Sequence, residues 1–174
     1  INFHRVDEKS DMEAYIARLG LFDEALDQVL VRAKAAADGG IHMPGFRYDE
    51  AVSEVNRLLS GAPFSKGKDS ALFADAKAKV KALQDAKKIT AEEANAFIKQ
   101  TSEVMTTQMK PAYERVVAFL NEDKPNGQKP EKQGALALPD GEKYYNAALY
   151  LVTTTNMTAN EIHELGLKEV ARIR

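Results

Sequence analysis

The sequence predicts an all-α protein, an irregular helical bundle of about six to seven helices. Apolar residues recur at spacings of three and four along most of its 174 residues, the repeat of a helix with one buried face. Ser10-Asp11-Met12-Glu13, Thr90-Ala91-Glu92-Glu93 and Thr158-Ala159-Asn160-Glu161 have the spacing of a capping box. In that motif a Ser or Thr oxygen accepts from an early backbone N–H while a Glu reaches back to the cap residue. Period-two alternation, the mark of a half-buried strand, persists nowhere.

Taken in order, Ser10 is expected to open a short helix running to about Leu19, with Gly20 interrupting it. From Leu21, the residues Phe22, Leu26, Val29, Leu30 and Ala33 give one face of a second helix. Gly39-Gly40 ends it, because glycine accepts the left-handed conformation that helix termini often need. Ile41-His42-Met43-Pro44-Gly45-Phe46 reads as a connection broken by Pro44 and Gly45. Asp49 is the expected cap of a third helix carrying Val52, Val55, Leu58 and Leu59, closed by Gly61. After a loop over residues 62–68, a fourth helix from about Ser70 to Asp85 buries Leu72, Phe73, Ala76, Val80 and Leu83.

The Thr90 box opens the longest stripe in the chain, from Ala94 through Phe97, Ile98, Thr101, Met105, Met109, Ala112, Val116 and Phe119 to Leu120. Pro111 falls inside it. Proline has no N–H to donate and its ring crowds the preceding turn, so one long helix kinked near Pro111 is expected. Met105 and Met109 read as core filling. Residues 121–141 hold three prolines, three glycines and many charges, and read as a connecting loop without regular structure. A C-terminal helical pair follows over 142–174, the first carrying Tyr144, Tyr145, Ala148, Leu149 and Val152, the second Ile162, Leu165, Val170 and Ile173. The organisation is a helical scaffold over 1–120, the loop, and this pair, within one compact unit.

Composition narrows the function. A formal charge of −2 gives no electrostatic reason for a nucleic-acid partner. The absence of cysteine excludes disulfides and thiolate metal sites. No apolar run reaches the ~18–20 residues of a membrane span. The chain begins at Ile1 without a methionine, so its natural start and any targeting segment are expected upstream.

His163-Glu164 invites comparison with a zinc-peptidase helix, in which two histidines four apart share one ion and a glutamate acts as base. Leu167 stands where the second histidine is needed. His4 and His42 have no ligand-like spacing to each other or to His163, so no metal ligand and no cofactor is assigned to this chain. No phosphate loop, nucleophile elbow or other catalytic constellation is present, and no residue is assigned a catalytic role. A helix histidine that hydrogen-bonds a neighbour, a helix end made by Thr153-Thr154-Thr155, and half-buried packing of Tyr144 and Tyr145 are the plain structural readings of the C-terminal polar residues.

The stretches HRVDEKSDMEAYIARL, GIHMPGF and LPDGEKYYNAALYLVTTTNMTANEIHELGLKEVARIR resemble successive signature segments of a large bacterial family, domain-of-unknown-function family 885. The last is the most specific, joining Leu-Pro-x-Gly-x-x-Tyr-Tyr to Thr-Thr-Thr and Glu-Ile-His-x-Leu-Gly. The resemblance implies a largely helical protein similar to zinc metallopeptidases, periplasmic, secreted or carried as a lipoprotein. It implies that this chain is an N-terminal or middle portion, its last helix ending at Arg174 with the apolar stripe still running. On that reading the His-Glu-x-x-His helix and the zinc belong to the full-length protein, and the missing C-terminal half is this chain's partner. Tyr144, Tyr145, Thr154 and His163 are the residues the resemblance offers as a wall of the cleft for a peptide substrate. The other reading is a freestanding helical module for peptide binding or assembly. Either way the last helix is expected to pack on the long helix from Thr90 to Asn121, or to be buried by self-association.

Overall fold

A computed structural model of the protein describes residues 4–132 and 134–173, apart from the side chain of Leu136. Arg174, where the expected last helix ends, lies outside the described residues, as do Ile1–Phe3 and Gln133. The helical period is realised in α1 (Lys9–Gly20), α2 (Phe22–Asp38), α3 (Gly45–Leu58), α4 (Ala71–Asp85), α5 (Ala91–Val104), α6 (Lys110–Asp123), α7 (Gly141–Thr153) and α8 (Ala159–Ile173). A π-helical turn, Met105–Met109, joins α5 to α6 into one continuous helix. Among the described residues no strand forms; Pro44–Gln128 and Ala62–Asp69 are isolated bridges.

The continuous helix is the axis of the fold. Helices α1 and α4 pack along α5, while α2 and α3 pack along α6. Its buried face, Ala94, Phe97, Thr101, Met105, Met109, Ala112 and Leu120, is most of the stripe expected from the sequence. Met12, Tyr15, Ile16 and Leu19 of α1 and Phe73, Ala76, Val80 and Leu83 of α4 complete the main core cluster. Each large apolar side chain so enclosed stabilises the fold by ~1.5–3 kcal/mol. Exposed ion pairs also link the helices at the rim: Lys9 to Glu93 at 2.7 Å joins α1 to α5, and Arg115 reaches both Asp23 and Asp27 of α2.

The irregularity expected at Pro111 takes the form of the π turn. Lys110 N–H donates to Met105 O, five residues back, and Pro111 has no N–H for the carbonyl of Thr107. Threonine hydroxyls supply donors along this stretch. Thr101, Thr106 and Thr107 donate to the carbonyls of Phe97, Ser102 and Glu103, each at 2.8 Å. The helix widens at one turn just before the proline, and threonine hydroxyls add donors to carbonyls on its N-terminal side.

Three expectations need correction. Helix α1 starts before Ser10, because Asp11 is the residue that reaches back: its carboxylate accepts from the N–H of Asp7 and of Glu8, both at 2.9 Å. Helix α3 starts at Gly45, not Asp49. Pro44 has no N–H that needs an acceptor, its carbonyl accepts from Arg47 N–H at 2.9 Å, Gly45 N–H donates to Gln128 O at 2.9 Å, and Asp49 pairs with Lys124 at 2.6 Å. Within residues 121–141, α6 continues to Asp123, and single 3-10 turns form at Lys124–Asn126 and Gly134–Ala137. Such turns need only three or four residues, so prolines and glycines that rule out a longer helix permit them. The boxes at Thr90 and Thr158 form as expected, with Thr90 N–H donating to Glu93 at 2.9 Å and Thr158 N–H donating to Glu161 at 2.7 Å.

Thr154 closes α7 in the left-handed region (φ 53°), and the Thr153 hydroxyl caps back to Leu149 O at 2.8 Å. Helix α7 packs on the 3-10 turn Gly134–Ala137. Among the described residues helix α8 makes no extended packing with any other element, so of the two covers expected for it the long helix is not the one used. The faces of that helix with buried side chains are already taken by α1, α2, α3 and α4. Val152 is 84 % exposed and Ile173 75 % exposed.

Candidate functional site

The four residues singled out from the sequence lie on the exposed C-terminal pair. Tyr144 and Tyr145 are neighbours in the first turns of α7, 61 % and 44 % exposed. Thr154 caps the opposite end of the same helix, ~15 Å away along its axis at the helical rise per residue. His163 is exposed on α8, which has no extended packing on α7. The fold therefore keeps the tyrosine pair and Thr154 apart. Glu161 beside His163 serves the helix start: the Thr158 N–H and hydroxyl hold its carboxyl below the ordinary carboxylate range.

Among the described residues no three His, Cys, Asp or Glu side chains gather as a metal site. Both ring nitrogens of His4 are engaged: Nε2 donates to Asp11 O at 3.1 Å and Nδ1 accepts from Arg18 at 2.6 Å. His42 is tied to Asp123. The donor set of these residues does not fit a zinc ion, so no chemical step is derived through one.

Two features of the helical body have the build of sites. The first is a polar node. Asp123, only 8 % exposed at the end of α6, accepts from Tyr48 Oη at 2.6 Å, His42 Nδ1 at 3.0 Å and Asn126 Nδ2 at 3.3 Å. Burial pushes the Asp123 carboxyl up, but these three donors together outweigh it and hold the group below its ordinary range. Burial and the bond to Asp123 push the Tyr48 hydroxyl up to about 12. Backbone bonds close the node: Gln128 N–H donates to Met43 O at 2.8 Å and the Gln128 side chain to His42 O at 2.8 Å. A cavity of 310 Å³ opens beside it, lined by Lys34, Asp38, His42 and Glu122 among others. The node's chief consequence is mechanical, since it locks the His42–Gly45 connection to the end of α6.

The second feature is a cavity of 880 Å³ between the start of α2, the π turn and α6, and the loop that joins α3 to α4. Phe22, Leu58, Leu72, Met109 and Tyr113 supply apolar wall, and Lys66 and Lys68 stand on the loop side. Burial pushes the Tyr113 hydroxyl above its ordinary range. The loop is held rigidly. Ala62 N–H donates to Lys68 O at 2.9 Å, Ser70 N–H to Ala62 O at 2.8 Å, and Gly61 N–H to Ser65 Oγ at 2.9 Å. Gly61 has φ +84°, and a Cβ there would meet Lys68 O at 2.4 Å, so only glycine fits. Phe64, 7 % exposed, anchors the loop in the core.

Sequence reasoning passed over both features, treating residues 41–46 and 62–68 as plain connections. The node joins positions 75 and 81 residues apart, which no local pattern reveals. The loop carried a usable signal: an isolated aromatic, Phe64, between two glycines in a Ser- and Lys-rich run implies a loop with its own anchor.

None of the curated proteins matches the chain. Among solved structures it is similar to one titled "the putative lipoprotein from Colwellia psychrerythraea", with 23 % identity and a TM-score of 0.79. That likeness extends over 99 % of this chain and 28 % of the other, so the chain spans little more than a quarter of its neighbour's length. It establishes the fold. No helix of the described residues is long and apolar enough to cross a membrane. The model of one family matches residues 1–174, and the chain belongs to that family: bacterial protein of unknown function (DUF885).

Proposed function

We propose that this chain is the non-catalytic helical portion of a zinc-peptidase-like hydrolase, contributing scaffold and part of a peptide-binding cleft. The observation that carries the reading is the uncovered C-terminal pair. Tyr144, Tyr145, Tyr150, Leu151 and Val152 on α7, and Leu165, Leu167, Val170 and Ile173 on α8, are all exposed. An apolar surface of this extent is usually covered by a partner, and the chain spans only 28 % of its structural neighbour. The remaining polypeptide of a full-length protein is the natural cover. It would also bring the zinc ligands, which the donors of this chain do not provide. Tyr144, Tyr145, Thr154 and His163 then border the seam where a peptide substrate is held. The neighbour's description as a lipoprotein supports a periplasmic or secreted setting.

Two measurements test this. Calorimetric titration of Zn²⁺ into the chain alone is expected to give no stoichiometric sub-micromolar binding. Finding such binding would overturn the division of labour. Amide hydrogen exchange along residues 141–173 is expected to be fast in the chain alone and strongly slowed in the full-length protein. Equal exchange in both would mean that this pair has no intramolecular cover.

A further inference from the structure

We propose that the 880 Å³ cavity beside the α3–α4 loop binds a small amphipathic anion, one carboxylate joined to an apolar body. This inference stands apart from the hydrolase reading, because it concerns the helical body and uses none of the C-terminal residues.

Size and lining come first. Ligand sites usually occupy about 300–1,000 Å³ and combine apolar wall with placed polar groups; this cavity has that volume, with an apolar wall on one side and charged residues on the other. Its apolar wall comes from three separate parts of the fold: Phe22 at the start of α2, Leu72 on α4, and Met109 and Tyr113 either side of Pro111 on the central helix.

Charge then selects the ligand. Two carboxylates border the cavity, and both are already compensated. Asp69 pairs with Lys77 at 2.8 Å; Asp75 pairs with Lys79 at 2.5 Å and accepts from Tyr15 Oη at 3.1 Å. Arg57, also on the border, is paired with Glu54. Among the described residues Lys66 and Lys68 have no such partner. The uncompensated charge of the lining is therefore positive and sits at one edge, on a loop whose hydrogen bonds fix its shape. Between the two lysines, Gly67 has no atom within 4 Å of a Cβ position, leaving the backbone open to close approach. Ala71 and Leu72 lie on the same lining in the first turn of α4, where backbone N–H groups have no intrahelical carbonyl to bond. A single anionic group at this edge with an apolar tail across the wall satisfies both halves. A highly charged ligand satisfies only one.

That chemistry has two sources: the C-terminal residue of a peptide with an apolar side chain, or a free fatty acid. The test is calorimetry on the whole chain with N-acetyl-leucyl-leucine, the same dipeptide as its C-terminal amide, and decanoate. At least one of the two acids is expected to bind, and Lys66→Ala/Lys68→Ala is expected to weaken it about tenfold or more, a loss of ~1.4 kcal/mol. Binding of the dipeptide acid with loss on amidation assigns a peptide C-terminus; binding of decanoate alone assigns a fatty acid. Both lysines are exposed, and unchanged far-UV circular dichroism verifies the variant's fold. No binding of either acid at millimolar concentration overturns the proposal. So does equal affinity for acid and amide without decanoate binding, or a double variant that binds like the original protein.

Discussion

Replacing Tyr48 by Phe removes one oxygen from the polar node and leaves the packing of the ring intact. That oxygen lies on a side chain 1 % exposed and donates at 2.6 Å to a carboxylate in a residue 8 % exposed. It also accepts, at 3.3 Å, from Met43 N–H, which loses this partner. A hydrogen bond to a charged group contributes ~1.5–3 kcal/mol. Asp123 keeps His42 and Asn126 as donors, so the expected loss is ~2 kcal/mol, the lower part of that range. With a urea m-value of ~2 kcal/mol/M, the unfolding midpoint falls by ~1 M at neutral pH. The bond draws its strength from the ionised carboxylate, whose pKa in the fold lies below its ordinary 3.8. A depressed folded-state pKa gives stability that is present above the ordinary value and lost as pH falls through the folded one. The gap between Tyr48→Phe and the original protein should therefore be constant from pH 8 to about pH 5 and narrow below about pH 4. Urea titrations followed at 222 nm across this range provide the assay. A midpoint shift below ~0.2 M at neutral pH would refute the claim that the Tyr48 hydroxyl is one of the groups that hold Asp123, and a gap that widens in acid would refute the sign.

Changes at three further places separate loop, cap and surface. Gly61→Ala places a Cβ 2.4 Å from Lys68 O at a positive φ, and should destabilise by at least ~2 kcal/mol in thermal unfolding, because backbone strain of this kind costs ~1–3 kcal/mol before the clash is counted. Thr90→Ala removes the hydroxyl that accepts from Glu93 N–H at 3.2 Å, and should cost ~1 kcal/mol, with Thr90→Ser recovering most of it. Val152→Asp with Leu165→Glu changes two exposed positions, 84 % and 46 % accessible. It should leave unfolding of the chain within ~0.5 kcal/mol while lowering self-association in light scattering at high concentration. A loss several times larger would show that the C-terminal pair is packed in solution.

The helices themselves were legible because their causes are local. An apolar residue every three or four positions, a Thr with a Glu three residues on, and a threonine triplet ending a helix each act within one or two turns of chain. Even Pro111 announced an irregularity, since the missing N–H belongs to the residue. What the pattern did not settle was how that irregularity is absorbed. A π turn depends on what the core demands of Met105 and Met109, each almost fully buried, and on threonines placed to meet the carbonyls nearby. The start of α3 shows the same limit: Asp49 had the chemistry of a cap, yet a distant carbonyl at Gln128 and a buried partner for Tyr48 drew the helix back to Gly45.

The sites divide along the same line. The tyrosine pair, Thr154 and His163 stood out only through the family resemblance, whose most specific segment carries them, and they lie on an uncovered surface. The Tyr48–Asp123–His42 node and the lysine-edged cavity come from residues tens of positions apart, and neither exists until α6 and the α3–α4 loop have packed. Residue order was enough to read which segments are helical, which faces are apolar, and the family to which they point. Which distant polar groups meet was settled by packing, because the node and the cavity depend on distances in space that helical periodicity along the chain does not encode.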